Sequence, residues 1–175
     1  VLVHEDTATP MAVVNVLYDV GARDEHPEKT GFAHLFEHLM FGGSINIADY
    51  DEPLQRAGGD NNAYTTNDLT NYYCQLPAQN IETAFWLESD RMLSLAFSEK
   101  SLSVQRKVVC EEFREHYINK PYGDVWKQMR ELAYTVHPYK WMTIGKELSH
   151  VENALIDDVK HFFFKHYRPI NAILV

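Results

Sequence analysis

The sequence predicts an α+β fold, a two-layer α/β sandwich in which a mostly antiparallel sheet is packed by helices. Three observations carry this expectation: strand-like apolar runs lie near both ends of the chain, helical periodicity fills most of the middle, and no repeat, linker or low-complexity segment interrupts them. With 175 residues, 45% hydrophobic and 23% charged, the chain can bury one sizeable core, so residues 1–175 are expected to form a single domain.

Residues 1–5 and 11–20 read as apolar strands. Thr30 is an acceptable N-cap and Gly42-Gly43 an abrupt stop, which bounds a short helix over residues 31–41. Phe32, Leu35, Phe36, Leu39 and Met40 fall on one face of it, the expected core side. A shorter helix near 49–57 ends at Gly58-Gly59. Residues 60–66 (DNNAYTT) and Leu69–Pro77 (LTNYYCQLP) then read as a hairpin, the second arm having strand composition. Taken by themselves, Asn61, Asn62 and Asn67 are ordinary turn residues. Helices are expected at about 81–97, 99–118 and 123–134, the middle one with Leu102, Val109, Phe113 and Tyr117 or His116 as its apolar stripe. Ser149-His150-Val151-Glu152 reads as a capping box opening a short helix. A helix over 157–167 carries Phe162-Phe163-Phe164 as core packing between His161 and His166, and residues 170–175 (INAILV) read as a last strand.

The chemistry lies in His34-Leu35-Phe36-Glu37-His38. Side chains four apart on a helix have Cβ atoms about 5 to 6 Å apart, so two imidazoles can reach one ion at about 2.0 to 2.1 Å. On a wheel of about 100° per residue, His34 and His38 lie within about 40° of each other, with Glu37 about 60° to one side. Histidine is an unusual choice for a merely solvated face. The pentapeptide is short enough to arise by chance, so its setting on a bounded helix matters. A catalytic zinc also needs a third protein ligand and an open position. Ser101–Asn119 reads as a second helix and offers Glu111, Glu112, Glu115 and His116. Glu112 falls one turn after Val108, toward the border of the buried side, whereas Glu111 pairs with Lys107 at i−4; this favours Glu112 without excluding Glu111.

An inverted H-x-x-E-H helix followed by a helix with Val108-Val109-Cys110-Glu111-Glu112 resembles the inverzincin metallopeptidases of the pitrilysin, insulin-degrading enzyme and mitochondrial processing peptidase family, M16. The resemblance runs through nearly the whole chain. It includes Val20-Gly21-Ala22-Arg23-Asp24-Glu25, Phe41-Gly42-Gly43, Gly58-Gly59, Asn62-Ala63-Tyr64-Thr65, Asp90-Arg91-Met92, His137-Pro138-Tyr139 and Tyr167-Arg168-Pro169. It implies a LuxS/MPP-like metallohydrolase domain with one Zn2+ held by His34, His38 and Glu112, and Glu37 as general base. It also implies that the Asn62, Ala63, Tyr64, Thr65 edge docks the backbone of peptide substrates by β-augmentation. Two departures stand out: the 73 residues between His38 and Glu112 are at the short end for the family, and Gln105 sits where many relatives carry a Glu. Two neutral imidazoles and one carboxylate would leave the centre at a net charge of about +1, which lowers the pKa of a bound water toward about 7.

Other classes are disfavoured. A net charge of −9 with no basic stripe argues against nucleic acid, and no apolar run approaches the 18 to 20 residues of a membrane span. Cys74 and Cys110 read as small buried residues and not a disulfide, and the helix turns Cys110 about 200° away from Glu112. The chain opens on Val1-Leu2-Val3 and closes on Ile173-Leu174-Val175, both strand-like. The expectation is therefore one domain excised from a longer chain, partnered by a second homologous half or subunit. Two functions follow: a zinc endopeptidase domain acting on peptides or unfolded segments, or a noncatalytic substrate-binding or core-type subunit of the same fold. For the compartment, the expectation is the cytoplasm or the periplasm of a bacterium.

Overall fold

The computed structural model describes residues 1–175. Four strands, β1 (Met11–Tyr18), β2 (Asp60–Thr65), β3 (Thr70–Pro77) and β4 (Ala172–Leu174), form one antiparallel sheet in the order β2-β3-β1-β4. Seven α-helices accompany it: α1 (Phe32–Leu39), α2 (Asp51–Arg56), α3 (Ile81–Leu93), α4 (Glu99–Phe113), α5 (Val125–Ala133), α6 (Leu148–Glu152) and α7 (Ile156–His166). This is the α+β arrangement the sequence predicts.

Period-two alternation determines which side of the sheet is covered. Val14, Val16 and Tyr18 of β1 and Tyr72, Cys74 and Leu76 of β3 point into the core, while Val13 and Gln75 face outward. The larger cluster joins Val16, Tyr18 and Tyr72 to Phe32, Leu35, Phe36 and Leu39 of α1, Leu102 and Val109 of α4 and Phe162 and Phe163 of α7. A smaller cluster packs Val14, Cys74 and Leu76 against Leu54 of α2 and Ala84 and Leu87 of α3. Phe164, third of the aromatic run, is 55% exposed, as the helical turn requires. Helix α5 adds nothing to either core and leaves Trp126, Met129 and Leu132 exposed. No helix is long and apolar enough to cross a membrane.

Several boundaries depart from expectation, each for a local reason. Residues 1–5 form no strand: Val1, Leu2 and Val3 are exposed, and only the Leu2 N–H reaches the sheet, donating to Leu174 O at 2.7 Å. The last strand shrinks to three residues because Pro169–Asn171 is a 3-10 turn. Helix α3 stops at Leu93, where Ser94 becomes extended and Phe97 takes a positive φ of 48°. The expected helix over 99–118 is α-helical only to Phe113 and continues as a π turn over Arg114–Ile118. Glu111 pairs with Arg114 at 2.6 Å and not with Lys107. Helix α6 starts at Leu148 with no side-chain cap, so Ser149 lies inside its first turn and the capping box does not form. Thr30 is not the N-cap of α1; Gly31 is, with φ 87°. The Thr30 hydroxyl instead accepts from the Lys146 N–H at 2.7 Å and lies 2.9 Å from His150 Nδ1, which also accepts from the Thr30 N–H at 3.3 Å.

Beneath the sheet, Arg91 is 1% exposed and donates from Nε to Glu88 Oε2 at 2.8 Å, while its guanidinium lies 4.4 Å from the Tyr50 ring centre and 4.7 Å from that of Tyr72. Removing one partner of such a pair leaves an uncompensated buried charge, so Glu88→Ala is expected to destabilise the fold by about 3 to 5 kcal/mol in urea melts; a loss under about 1 kcal/mol would mean that the aromatic rings alone support the cation. Burial holds His150 below the usual imidazole range, so the folded state favours its neutral form. The stability it contributes is present above about pH 6.5 and is lost as pH falls through the lower folded value. The advantage of wild type over His150→Ala in chemical denaturation should therefore shrink between about pH 7.5 and 5.5; a constant gap would remove His150 from the pH response.

Candidate metal centre

Helix α1 separates its faces as its periodicity implies. Phe32, Leu35, Phe36 and Leu39 are buried, while His34, Glu37 and His38 lie half-buried along the other side. The imidazoles meet edge to face, ring centres 4.9 Å apart, with their Nε2 atoms 3.4 Å apart. Helix α4, packed against α1 through Leu102, Val109 and Phe113, brings Glu112 Oε2 to 3.5 Å from both nitrogens. Glu111, exposed and paired with Arg114, takes no part.

These three donor atoms form a nearly equilateral triangle with edges of 3.4, 3.5 and 3.5 Å. A tetrahedral ion with ligands at about 2.0 to 2.1 Å requires edges of about 3.3 to 3.4 Å between them. The set therefore fits zinc in both chemistry and spacing. No other group of three His, Cys, Asp or Glu side chains in the chain converges in this way. Burial, reinforced by the neighbouring His38, lowers the His34 pKa to about 4, so at neutral pH it presents the uncharged imidazole that a metal requires.

Glu37 stands beside the triangle. Its Oε2 accepts a 2.6 Å hydrogen bond from Thr65 Oγ1, at the end of β2. Burial raises the Glu37 carboxyl above the usual range, opposed mainly by the Thr65 hydroxyl. Of the other hairpin residues singled out from sequence, Ala63 is half-buried against the core beneath β2, whereas Asn62 and Tyr64 face outward. Asn62 Oδ1 accepts from the adjacent Ala63 N–H at 2.8 Å. Strand β2 is an edge strand, paired only with β3, so one side of its backbone is unpaired within the sheet. Cys74 and Cys110 are free, buried and outside the triangle, and Gln105 lies two turns before Glu112 without joining it.

One contributor escaped sequence reasoning. Glu25 is buried and accepts from the Gly31 N–H at 2.9 Å, the Ala33 N–H at 2.8 Å and Trp141 Nε1 at 3.1 Å. Its burial pushes the carboxyl up to about 8, with those donors acting against the shift. Its segment, Val20–Glu25, was among those carrying the family resemblance, but no periodicity points to a cap supplied from outside the helix.

Two histidines and a glutamate, carried on two helices over an antiparallel sheet, define a metallohydrolase class of domain with the donor set of a hydrolytic zinc site. The chain belongs to the insulinase family, peptidase family M16, whose family profile matches residues 1–146. It is 35% identical over 172 residues to the zinc protease PqqE of Helicobacter pylori, covering 97% of this chain and 38% of that protein. It is 26% identical to the mitochondrial-processing peptidase subunit beta of Saccharomyces cerevisiae, covering 95% of this chain and 36% of the relative. The crystal structure of a protease from Helicobacter pylori superposes with a TM-score of 0.89 at 36% identity, covering 95% of this chain and 40% of the other. The chain thus spans less than half the length of these relatives.

Proposed function

We propose that this domain is the metal-binding part of a zinc endopeptidase that hydrolyses peptides or unfolded segments, with His34, His38 and Glu112 as zinc ligands and Glu37 as general base. The observation that carries the reading is the triangle of donor atoms, matched to zinc in spacing, with Glu37 tethered at its side. Zinc, when bound, supplies Lewis acidity toward a peptide carbonyl and lowers the pKa of water toward about 7. The protein's own groups do the rest. Thr65 occupies one Glu37 oxygen as a donor, which leaves the other, Oε1, to take the proton of an attacking water and return it to the leaving amine. Burial, by raising the Glu37 carboxyl, makes it a better proton acceptor than an exposed glutamate.

Substrate recognition follows from the same tether. A peptide pairing with the free edge of β2 along Asn62, Ala63, Tyr64 and Thr65 runs directly toward Glu37, because Thr65 is both the end of that strand and the partner of the base. Main-chain pairing of this kind tolerates many sequences. We also propose that a second homologous half, in the same chain or as a separate subunit, completes the enzyme. Two observations support it: the greater length of the relatives, one of which is itself named as a subunit, and the uncovered apolar face of Trp126, Met129 and Leu132 on α5.

Elemental analysis tests the ligand assignment. About one zinc per chain is expected in wild type and in Glu111→Gln, and loss of zinc in Glu112→Gln; a wild-type chain that takes up no zinc would turn the reading to a noncatalytic binding subunit. In the longer protein that carries this domain, Glu37→Gln should retain zinc and lose about 100-fold or more of its peptide hydrolysis. Cleavage at the wild-type rate would take Glu37 out of the mechanism.

A further inference from the structure

We infer that Glu25 is a positioning residue for the proposed metal centre, anchoring the first turn of α1 so that His34 meets His38 and Glu112. This inference rests on the reading of those three residues as zinc ligands.

The argument begins with an unmet need. A helix leaves its first N–H groups without partners inside the helix, and α1 begins at a glycine with no side chain to supply a cap. Glycine is required there, because a Cβ on Gly31 would lie 2.5 Å from Ile144 O, besides the positive φ. The cap comes instead from six residues upstream. The two Glu25 oxygens divide the work, Oε2 taking the Gly31 N–H and Oε1 the Ala33 N–H, and His34 is the next residue. The clamp is itself held: Trp141 Nε1 donates both to Glu25 Oε2 and to Ala22 O at 2.9 Å. Helix start, preceding turn and Trp141 loop thus share one buried carboxyl.

His34 depends on this anchor for a second reason. In metal sites the non-ligating ring nitrogen usually donates to an acceptor that fixes the ring. His34 Nδ1 is buried with no protein partner. The ring is therefore placed by its backbone and by its edge contact with His38. A ligand shell tolerates displacements of only about 0.5 Å, so loosening the first turn acts directly on the His34 edge of the triangle. Gln at position 25 keeps one acceptor but turns an N–H donor toward another N–H.

The test compares wild type, Glu25→Gln, Glu25→Asp and Glu28→Gln. Glu28 is an exposed glutamate on the same turn, so its variant makes the same side-chain change away from the start of α1. Zinc affinity is measured by competition with a chromophoric chelator, coordination geometry by the visible spectrum of the Co2+-substituted protein, and folding by far-UV circular dichroism and urea unfolding. Glu25→Gln should remain cooperatively folded, weaken zinc by about tenfold or more and alter the cobalt spectrum. Glu25→Asp, with the carboxyl kept and the reach shortened, should fall between, and Glu28→Gln should match wild type. A Glu25→Gln protein with wild-type affinity and spectrum would overturn the positioning role and leave the zinc site standing. A wild type that binds no zinc would overturn both. If both Glu25 variants fail to fold, Glu25 is a determinant of folding and the inference falls.

Discussion

A helix of eight residues is shorter than the roughly 12 to 15 that an isolated helix needs for even marginal stability in water, yet α1 carries both imidazoles and the carboxylate beside them. Its position is imposed from outside, in two ways that act along different directions. Burial of Phe32, Leu35, Phe36 and Leu39 sets the rotation of the helix about its axis and so turns His34, Glu37 and His38 toward α4. The hydrogen bonds at Gly31 and Ala33 set its position along the axis. With only one of these constraints the helix could still form, but the three donor atoms would not share a focus.

Electrostatics around the site follow from the same packing. Buried charge elsewhere is neutralised locally: Arg91 meets Glu88 and aromatic faces, and Asp90 accepts from Ser44 and Asn46. Within the triangle and beside it, burial leaves His34 neutral and raises the Glu37 carboxyl. Thr65 moderates that rise with a single hydroxyl.

Much of this was legible in the sequence because it rests on period. The core face of α1, the adjacency of His34 and His38 and the hairpin ahead of β3 are consequences of 3.6- and 2-residue repeats that any reader can lay out. Phase along α4 favoured Glu112, and it is Glu112 that α1–α4 packing brings to 3.5 Å from both imidazoles. What remained hidden depends on contacts between distant segments. Thr30 has the composition of a cap, but Lys146 and His150 claim its hydroxyl. Residues 1–5 have strand composition but find no strand to pair with in register. The π turn after Phe113 and the reach of Glu25 to Ala33 leave no mark on local propensity. Local rules describe which residues are able to serve, and tertiary packing chooses among them.

Phe36 stacks on Phe162, Phe163 and Tyr167, and β4 closes the sheet against β1. The rear of α1 is thus built from residues synthesised long after the imidazoles, and after Glu112 as well. On a growing chain, folding from its N-terminal side, the donor groups emerge before the wall that aligns them exists. Making the geometry wait for α7 and β4 separates the appearance of the donor groups from their convergence, a delay written into the order of the chain.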